Sequence, residues 1–453
     1  MTKSKSNHQN DYPDEPAWPS GWRPWTSLVG CFFLMFNSWG LVNGYGTYLS
    51  YYQSSLLQDN NLIEFNMIGA TQCFFILFLS FIAGRLLDAN YSRALLICGS
   101  FLVTLGMLSL SLCNGKTWSD GNIGAIWLYQ GFICGIGMAC FFLSGSAIAA
   151  TWFKQKKGFA IGIVASGASI SGMIYPTMLR QLIDKIGFNR SVQAITGLLF
   201  LTCLISIFLA TPNPSHFFHQ PETWKSVQTW IDTDAFRSPA WRWYTTAISF
   251  MFFGFYSVFF NLEKWAADTK VGYLDTPIPG AVKTYILLAT MNASSTIGRL
   301  SSSYLCDIFG ALQVHFIVTL VSSFLCLFLW TFAKDLAATL AFVILFGAFS
   351  GSVIGLPPAA MAAVLGPDRQ ERLGHWTGMM YTVSSVFALT GPVVAANLIV
   401  KHENYLTVQV WSGLCLFLSA VSICVAYYYK VREQKQREEE KRLESKRDLP
   451  YRL

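Results

Sequence analysis

The stretch "GRLLDAN", residues 84–90, closes a run of almost uninterrupted apolar residues that begins at Met67. A second stretch, "SYLCDIFG" at residues 303–310, closes another apolar run in the second part of the chain. In each case an aspartate follows a segment that is nearly pure hydrocarbon. Because about 20 apolar residues cross the core of a bilayer as a helix, the two stretches indicate two membrane boundaries.

Composition extends this interpretation to the whole chain. Of 453 residues, 53% are hydrophobic and 13% are charged, whereas a typical soluble protein has about 25% charged residues. In lipid, the backbone N–H and C=O groups must find hydrogen-bond partners within the protein, and a helix is the simplest structure that provides them. We therefore predict an all-α membrane protein with twelve transmembrane helices. The twelve apolar runs lie at 26–50, 64–84, 94–113, 122–148, 158–181, 191–210, 242–262, 282–304, 311–333, 337–361, 373–398 and 406–429.

The runs form two groups of six, and this grouping predicts the domain boundaries. We expect an N-terminal tail at 1–25, a six-helix bundle at 26–210, a linker at 211–241, a second bundle at 242–429 and a charged tail at 430–453. Lys and Arg near the runs favour cytoplasmic termini, with 23 on that side against 9 on the other once the tails and linker are included.

The remaining composition limits the kind of function. The tail 430–453 holds nine Lys/Arg and six Asp/Glu, so it supplies +3 of the net charge of +7, and nucleic acid is not needed as a partner to explain the charge. The 11 cysteines show no CxxC spacing, which predicts neither a metal site nor a cofactor. A membrane-embedded acyltransferase or hydrolase would need an intramembrane His/Asp or Cys/His constellation, and the sequence shows none, so we predict no enzyme activity.

Internal repetition relates the two groups of runs. Three positions of the fifth run recur in the eleventh at an offset of 216 residues: Gly158, Gly162 and Pro176 as Gly374, Gly378 and Pro392. Asp88 recurs as Asp307 at an offset of 219. Parallel repeats of this kind are typical of transporters, whose solute site lies between the halves.

These features resemble a known family, the major facilitator superfamily, whose G-x-L-x-D loop motif is similar to "GRLLDAN". The segments 19–52, 151–176 and 295–310 resemble monocarboxylate-porter-like carriers, especially fungal ones. The resemblance implies two pseudo-symmetric six-helix bundles in the plasma membrane. It also implies a secondary transporter of a small organic solute, such as a monocarboxylate or related anion, that works by alternating access. Efflux of a fungal secondary metabolite and a nontransporting nutrient sensor remain open as alternatives.

The same resemblance implies a conformational role for the two loop motifs. In the family this loop latches the outward-open state, and its aspartate is expected near the N-terminus of a neighbouring helix, where a carboxylate is favoured. The residues concerned are Gly84, Asp88 and Arg93 in the first half, and Ser303 and Asp307 in the second.

The eighth run carries the candidate solute site. Asn292, Ser295, Arg299 and Ser302 are spaced 0, 3, 7 and 10, which places them on one helical face. Arg299 is eight residues from Asp307, about 12 Å along a helix and close to the bilayer midplane. An arginine there usually faces a cavity, although a long side chain can also reach back toward the boundary.

Other candidates are open to two interpretations, solute contact or helix packing: Asn43, Tyr45, Tyr48, Tyr256 and Tyr381. In the family an aspartate precedes the arginine by four residues, whereas here Ser295 holds that position. The acids in or beside the runs lie near their ends, at Glu64, Asp184, Glu263 and Glu403. We therefore expect any coupling to protons to be weak, or to be carried by the solute or by one of these acids. The sequon "NRS" makes Asn189 a candidate glycosylation site, although its closeness to the membrane argues against use.

Overall fold

The computed structural model describes residues 19–113, 122–153, 156–215, 224–269 and 284–447, and all long regular elements in these ranges are helices. The predicted tail residues 1–18 and 448–453 and the linker residues 216–223 lie outside the described ranges. The long helices are α1 Arg23–Leu56, α2 Leu62–Asp88, α3 Ser92–Leu110, α4 Ile123–Trp152, α5 157–186, α6 188–209, α7 Pro239–Asp268, α8 Tyr285–Phe309, α9 Ala311–Trp330, α10 Leu336–Gly355, α11 Leu373–His402 and α12 Leu406–Arg447.

Within the described residues, ten helical stretches are long and apolar enough to cross a membrane. One of them, Gly158–Leu209, is two arms joined at Gly187, whose φ of 79° and ψ of 168° lie outside the helical region and suit a residue without a Cβ. The helix α8 is not one of these ten because it carries many polar side chains, but its 25 residues extend about 37 Å and can cross a bilayer. The all-α architecture is confirmed, and it is consistent with twelve spans.

Apolar side chains cover the outside of the helices, and polar ones lie between them. Phe101, Phe208 and Phe332 are 65%, 72% and 69% exposed, whereas Asn37 and Asn261 are fully buried. This distribution is the reverse of that in a soluble protein. It fits an environment in which hydrocarbon covers the outer surface and polar groups must find partners inside.

Two antiparallel helix pairs join the first six helices to the last six: α5 with α8, and α2 with α11. A Cβ on Gly162 would overlap the Ser303 hydroxyl, and a Cβ on Gly378 would lie 3.0 Å from the Cα of Phe81. Small residues of this kind let transmembrane helices approach closely. The glycines that recur at an offset of 216 residues therefore lie where the two groups of helices touch.

The linker docks against the start of α11, at the end of the helices that we call the linker face; the opposite end is the far face. The Arg372 guanidinium lies 3.1 Å from a carboxylate oxygen of both Asp232 and Asp234, and the Trp376 indole N–H donates to Asp232 at 2.9 Å. Burial raises the pKa of Asp232, but the hydrogen bonds it accepts and the charge of Arg372 outweigh burial and hold the pKa below its usual value. The carboxylate therefore stays ionised, and the docking contact persists, at neutral pH.

A substitution at the α5–α8 contact tests how much the structure depends on it. Gly162→Leu should lower the thermal unfolding temperature of the purified protein, because overpacking a tight contact costs about 1–3 kcal/mol. Gly197→Leu is the matched control, since an added Cβ at Gly197 meets nothing within 4 Å. Equal unfolding temperatures for the two variants would contradict the packing described for α5 and α8.

Candidate functional site

The polar face of α8 is buried against α5. Its four predicted residues, Asn292, Ser295, Arg299 and Ser302, are 0%, 1%, 3% and 2% exposed. The hydroxyls of Ser295 and Ser169 lie 2.9 Å apart and link α8 to α5. The predicted face thus points into the contact between the two groups of helices and away from the lipid.

Arg299 is a buried cation without a carboxylate partner among the described residues. Its Nε donates a long hydrogen bond of 3.4 Å to Ser295, while its Nη1 has no protein partner. Tyr256 of α7 is close enough to interact with it electrostatically. A buried charge is costly unless it is paired. The buried guanidinium therefore lacks an anionic partner among the described residues.

Aromatic rings from both groups of helices pack against one another around Tyr256 and Tyr381. Trp39 of α1 stacks on Tyr256 at a centroid distance of 5.2 Å, and Phe142 of α4 meets Tyr381 of α11 edge-on at 5.0 Å. These four rings are at most 6% exposed. Through Tyr256, the buried guanidinium of Arg299 therefore lies close to this aromatic cluster.

The remaining predicted solute contacts occupy different positions. The Tyr45 hydroxyl donates to the Phe65 carbonyl at 2.5 Å, and the Asn43 amide donates to the Ala168 carbonyl at 3.3 Å. These two side chains therefore tie α1 to α2 and to α5. The buried Tyr48 hydroxyl has no protein partner among the described residues. Solute contact by Asn43, Tyr45 and Tyr48 stays a prediction.

The residues of the loop motifs meet at the linker face. Gly84, Asp88, Asp307, Gly158 and Gly374 all line one cavity of about 460 Å³. The Asp88 carboxylate lies beside Gly374 at the start of α11, and the Asp307 carboxylate lies beside Gly158 at the start of α5. Each aspartate is thus at a helix N-terminus of the opposite group, where the macrodipole favours a negative charge.

Other predicted residues lie outside this cavity. Arg93 is exposed at the start of α3, and Pro176 packs against Gly44 of α1. Pro392 lies inside α11, and Asn189 is half-buried two residues after the break at Gly187. Glycosylation of Asn189 remains a prediction.

A contact that sequence reasoning did not single out closes the far face. The Glu263 carboxylate of α7 is fully buried, pairs with the Arg180 guanidinium of α5 at 2.8 Å and accepts a hydrogen bond from Thr47 of α1 at 2.7 Å. The amides of Asn66 and Asn261 face each other at 3.4 Å, again across the two groups. The sequence carried one signal for the ion pair: Arg180 and Glu263 have opposite charges, and each lies at the C-terminal end of an apolar run.

Comparison with known proteins identifies the family. The model of the Major Facilitator Superfamily matches residues 27–388 and 285–450. The chain is 30% identical to the MFS-type transporter dbaD of Emericella nidulans over 89% of this chain and 85% of that one. It is 27% identical to the agnestins efflux protein AgnL12 of Paecilomyces divaricatus, over 88% of this chain and 86% of that one. To the aspyridones efflux protein apdF of Emericella nidulans it is 26% identical, over 91% and 80%.

A solved structure agrees with this assignment at the level of the fold. The fucose:proton symporter FucP of E. coli matches with a TM-score of 0.59 at 17% identity, over 90% of this chain and 98% of that one. The chain is thus a multi-pass integral membrane protein of the transporter class. It belongs to the Major Facilitator Superfamily.

The Glu263–Arg180 pair allows a double-mutant test. Arg180→Gln should destabilise the protein most, because it leaves a buried carboxylate unpaired, and adding Glu263→Gln should restore part of the loss. The coupling in the free energy of unfolding should be about 1–3 kcal/mol, measured by thermal or denaturant unfolding in detergent. Glu433 and Arg437 form a 2.6 Å pair that is 31% and 29% exposed and serve as the control, with a coupling of about 0.2–1 kcal/mol. Purely additive effects at Glu263 and Arg180 would show that the pair does not hold the far face together.

Proposed function

We propose that the protein is a secondary carrier that moves a small organic anion across the membrane by alternating access. The observation that carries this proposal is the buried Arg299, whose Nη1 has no protein partner and which has no carboxylate within ion-pair distance among the described residues. A solute carboxylate would supply the missing partner. Arginine stays charged at any working pH and binds carboxylates with two parallel hydrogen bonds.

The monocarboxylate-porter-like sequence features support the same solute class. Segment 295–310 resembles that branch and retains its arginine, while Ser295 replaces the branch's aspartate. Because Ser295 cannot titrate, the site binds an anion without a proton-carrying neighbour. Any cotransported proton then travels with the solute or through an acid at the end of a helix.

Contacts at the two ends of the interface support alternating access. The far face is held by Glu263, Arg180 and Thr47, and the linker face is held where Asp88 and Asp307 meet the opposite helix termini. The Arg299 site lies along α8 between these two sets. In the proposed cycle, one set opens while the other stays closed, so the site is reached from one side at a time.

The direction that we propose is export of an organic metabolite. It rests on the relatives, since two of them are named as efflux proteins, for agnestins and for aspyridones. Import of a monocarboxylate is the second candidate, favoured by the likeness of 295–310 to monocarboxylate porters. In both cases we propose the plasma membrane as the location, with both termini in the cytoplasm, and the bundle boundaries 26–210 and 242–429.

The role of Arg299 can be tested by transport. Arg299→Lys and Arg299→Ala should abolish movement of radiolabelled benzoate, lactate and related monocarboxylates in proteoliposomes, because lysine cannot reproduce the two-point contact. Arg242→Lys is the control, since Arg242 is an exposed arginine near the start of α7. Size-exclusion profiles should match the wild type. Unchanged anion transport in a folded Arg299→Ala variant would rule out the proposed site.

The linker-face contacts can be tested with a thiol reporter. Ala147 lines the linker-face cavity, so an Ala147→Cys protein reports access from that side through its maleimide labelling rate. For this purpose, the two exposed native cysteines, Cys98 and Cys424, and Cys306, which lines the same cavity, are replaced by serine. Asp88→Asn should change the labelling rate, because it removes a charge from the α11 N-terminus.

The same substitution in the second loop motif provides a comparison for Asp88→Asn. Asp307→Asn should change labelling less, since the second motif has Ser303 where the first has Gly84. Identical labelling rates for Asp88→Asn and the unsubstituted reporter would argue against a conformational role for the motif.

A further inference from the structure

A stack of aromatic rings joins the two groups of helices at the proposed site. Trp39 of α1 lies parallel to Tyr256 at 5.2 Å and 10°, and to Phe252 at 5.9 Å and 20°. Phe252 and Tyr256 are one turn apart on α7 and are themselves parallel, at 11°. All three rings are at most 2% exposed. The Trp39 ring of the first group and the Phe252 and Tyr256 rings of the second therefore cover one another's faces.

The backbone of α1 is irregular where it presents Trp39. Ser38 has φ −104° and ψ −96°, outside the helical region, and its hydroxyl donates to the Met138 carbonyl of α4 at 3.1 Å. Trp39 then begins a new helical segment. Discontinuous helices of this kind frequently form the solute sites of transporters. Because of this break, the helical register of residues 23–37 does not fix the direction in which the Trp39 side chain points.

The unpartnered polar atoms around the stack are mostly hydrogen-bond donors. Trp39 Nε1, Tyr256 Oη and Arg299 Nη1 are buried and have no protein partner among the described residues. Indole and guanidinium nitrogens can only donate, and a tyrosine hydroxyl can donate. A ligand that satisfies these groups must therefore carry hydrogen-bond acceptors, and carboxylate oxygens also match the charge of the guanidinium.

Separation of the two groups of helices would expose these rings. In alternating access the halves move apart on one side, so Trp39 withdraws from Phe252 and Tyr256. The exposed ring faces lose apolar contact unless the solute covers them. A solute that is itself flat and aromatic can replace each lost ring contact with a stacked one of the same geometry.

We propose that the solute is an organic acid with a flat aromatic ring. The ring stacks between Trp39 and the Phe252–Tyr256 pair, and the acidic oxygens bind Arg299 and the indole N–H. This proposal rests on the proposed function, and it narrows the solute from organic anions in general to aromatic or conjugated carboxylates. A saturated ring or a short aliphatic acid meets the arginine equally well but leaves the aromatic faces uncovered.

Three probes separate charge from ring shape: 2-naphthoate, its neutral amide 2-naphthamide, and decahydro-2-naphthoate, the saturated acid with the same carbon skeleton. Equilibrium binding of each is measured on the full-length protein in lipid nanodiscs. The wild type should bind 2-naphthoate at least about tenfold more tightly than decahydro-2-naphthoate, and 2-naphthamide should bind weakly. Trp39→Leu should bring the ratio of the two acids close to one while the affinity for decahydro-2-naphthoate changes little.

Matched variants control for folding and for general loss of a buried ring. Trp330 and Phe342 form another stacked pair, at 5.4 Å and 9°, on helices of the second group alone, so Trp330→Leu should leave the ratio unchanged. Tyr256→Phe keeps the ring and should keep the ratio. If Trp39→Leu does not fold, Trp39→Phe should give an intermediate ratio.

The outcomes distinguish this proposal from the proposed function. Equal affinity for both ring acids, with binding that still requires Arg299, would overturn the aromatic proposal and leave the anion carrier intact. Equal binding of 2-naphthoate and 2-naphthamide, with no effect of Arg299→Ala, would overturn the anion carrier. Failure of 2-naphthoate to bind the wild type would also overturn the aromatic proposal.

Discussion

The guanidinium of Arg299 constrains the arrangement around it. A charge in the middle of a helix that crosses hydrocarbon must turn away from lipid, and the same turn carries Asn292, Ser295 and Ser302 inward. Polar side chains leave α8 little apolar surface on that face, so it packs closely against α5, where Gly162 makes room for it. The α5–α8 contact and the location of the site are thus tied to this one requirement.

The interface between the halves is polar at its ends and aromatic at its centre. A buried ion pair holds the far face, while two aspartates beside helix N-termini surround a cavity at the linker face. Polar contacts of this kind are short-range and can break at one end while they persist at the other. Trp39, Phe252 and Tyr256 between them provide apolar contact that a solute can replace. This division suits a molecule whose halves rock about a central site.

Repeated and unrepeated residues take different places in this arrangement. Asp88 and Asp307 recur between the halves and lie with the repeated glycines at the linker face. Arg299 has no such twin, since the position 219 residues earlier is Ser80, and Trp39 also comes from one half only. The shared aspartates and glycines therefore serve the contact between the halves, and Arg299, which is not shared, belongs to the candidate solute site. An internal duplication can keep its packing residues while one copy acquires chemistry.

The sequence by itself determined the class of protein, because apolar runs of about 20 residues have the length of membrane-spanning helices. The 3.6-residue period alone placed Asn292, Ser295 and Arg299 on one face. It also indicated through the repeated glycines that two halves exist. Only the tertiary structure decided what meets that face: Ser169 and Tyr256 come from distant parts of the chain, and periodicity within one helix carries no information about a partner helix. The Glu263–Arg180 pair was hidden for the same reason, since two charges 83 residues apart become a buried contact only once α5 and α7 are packed together.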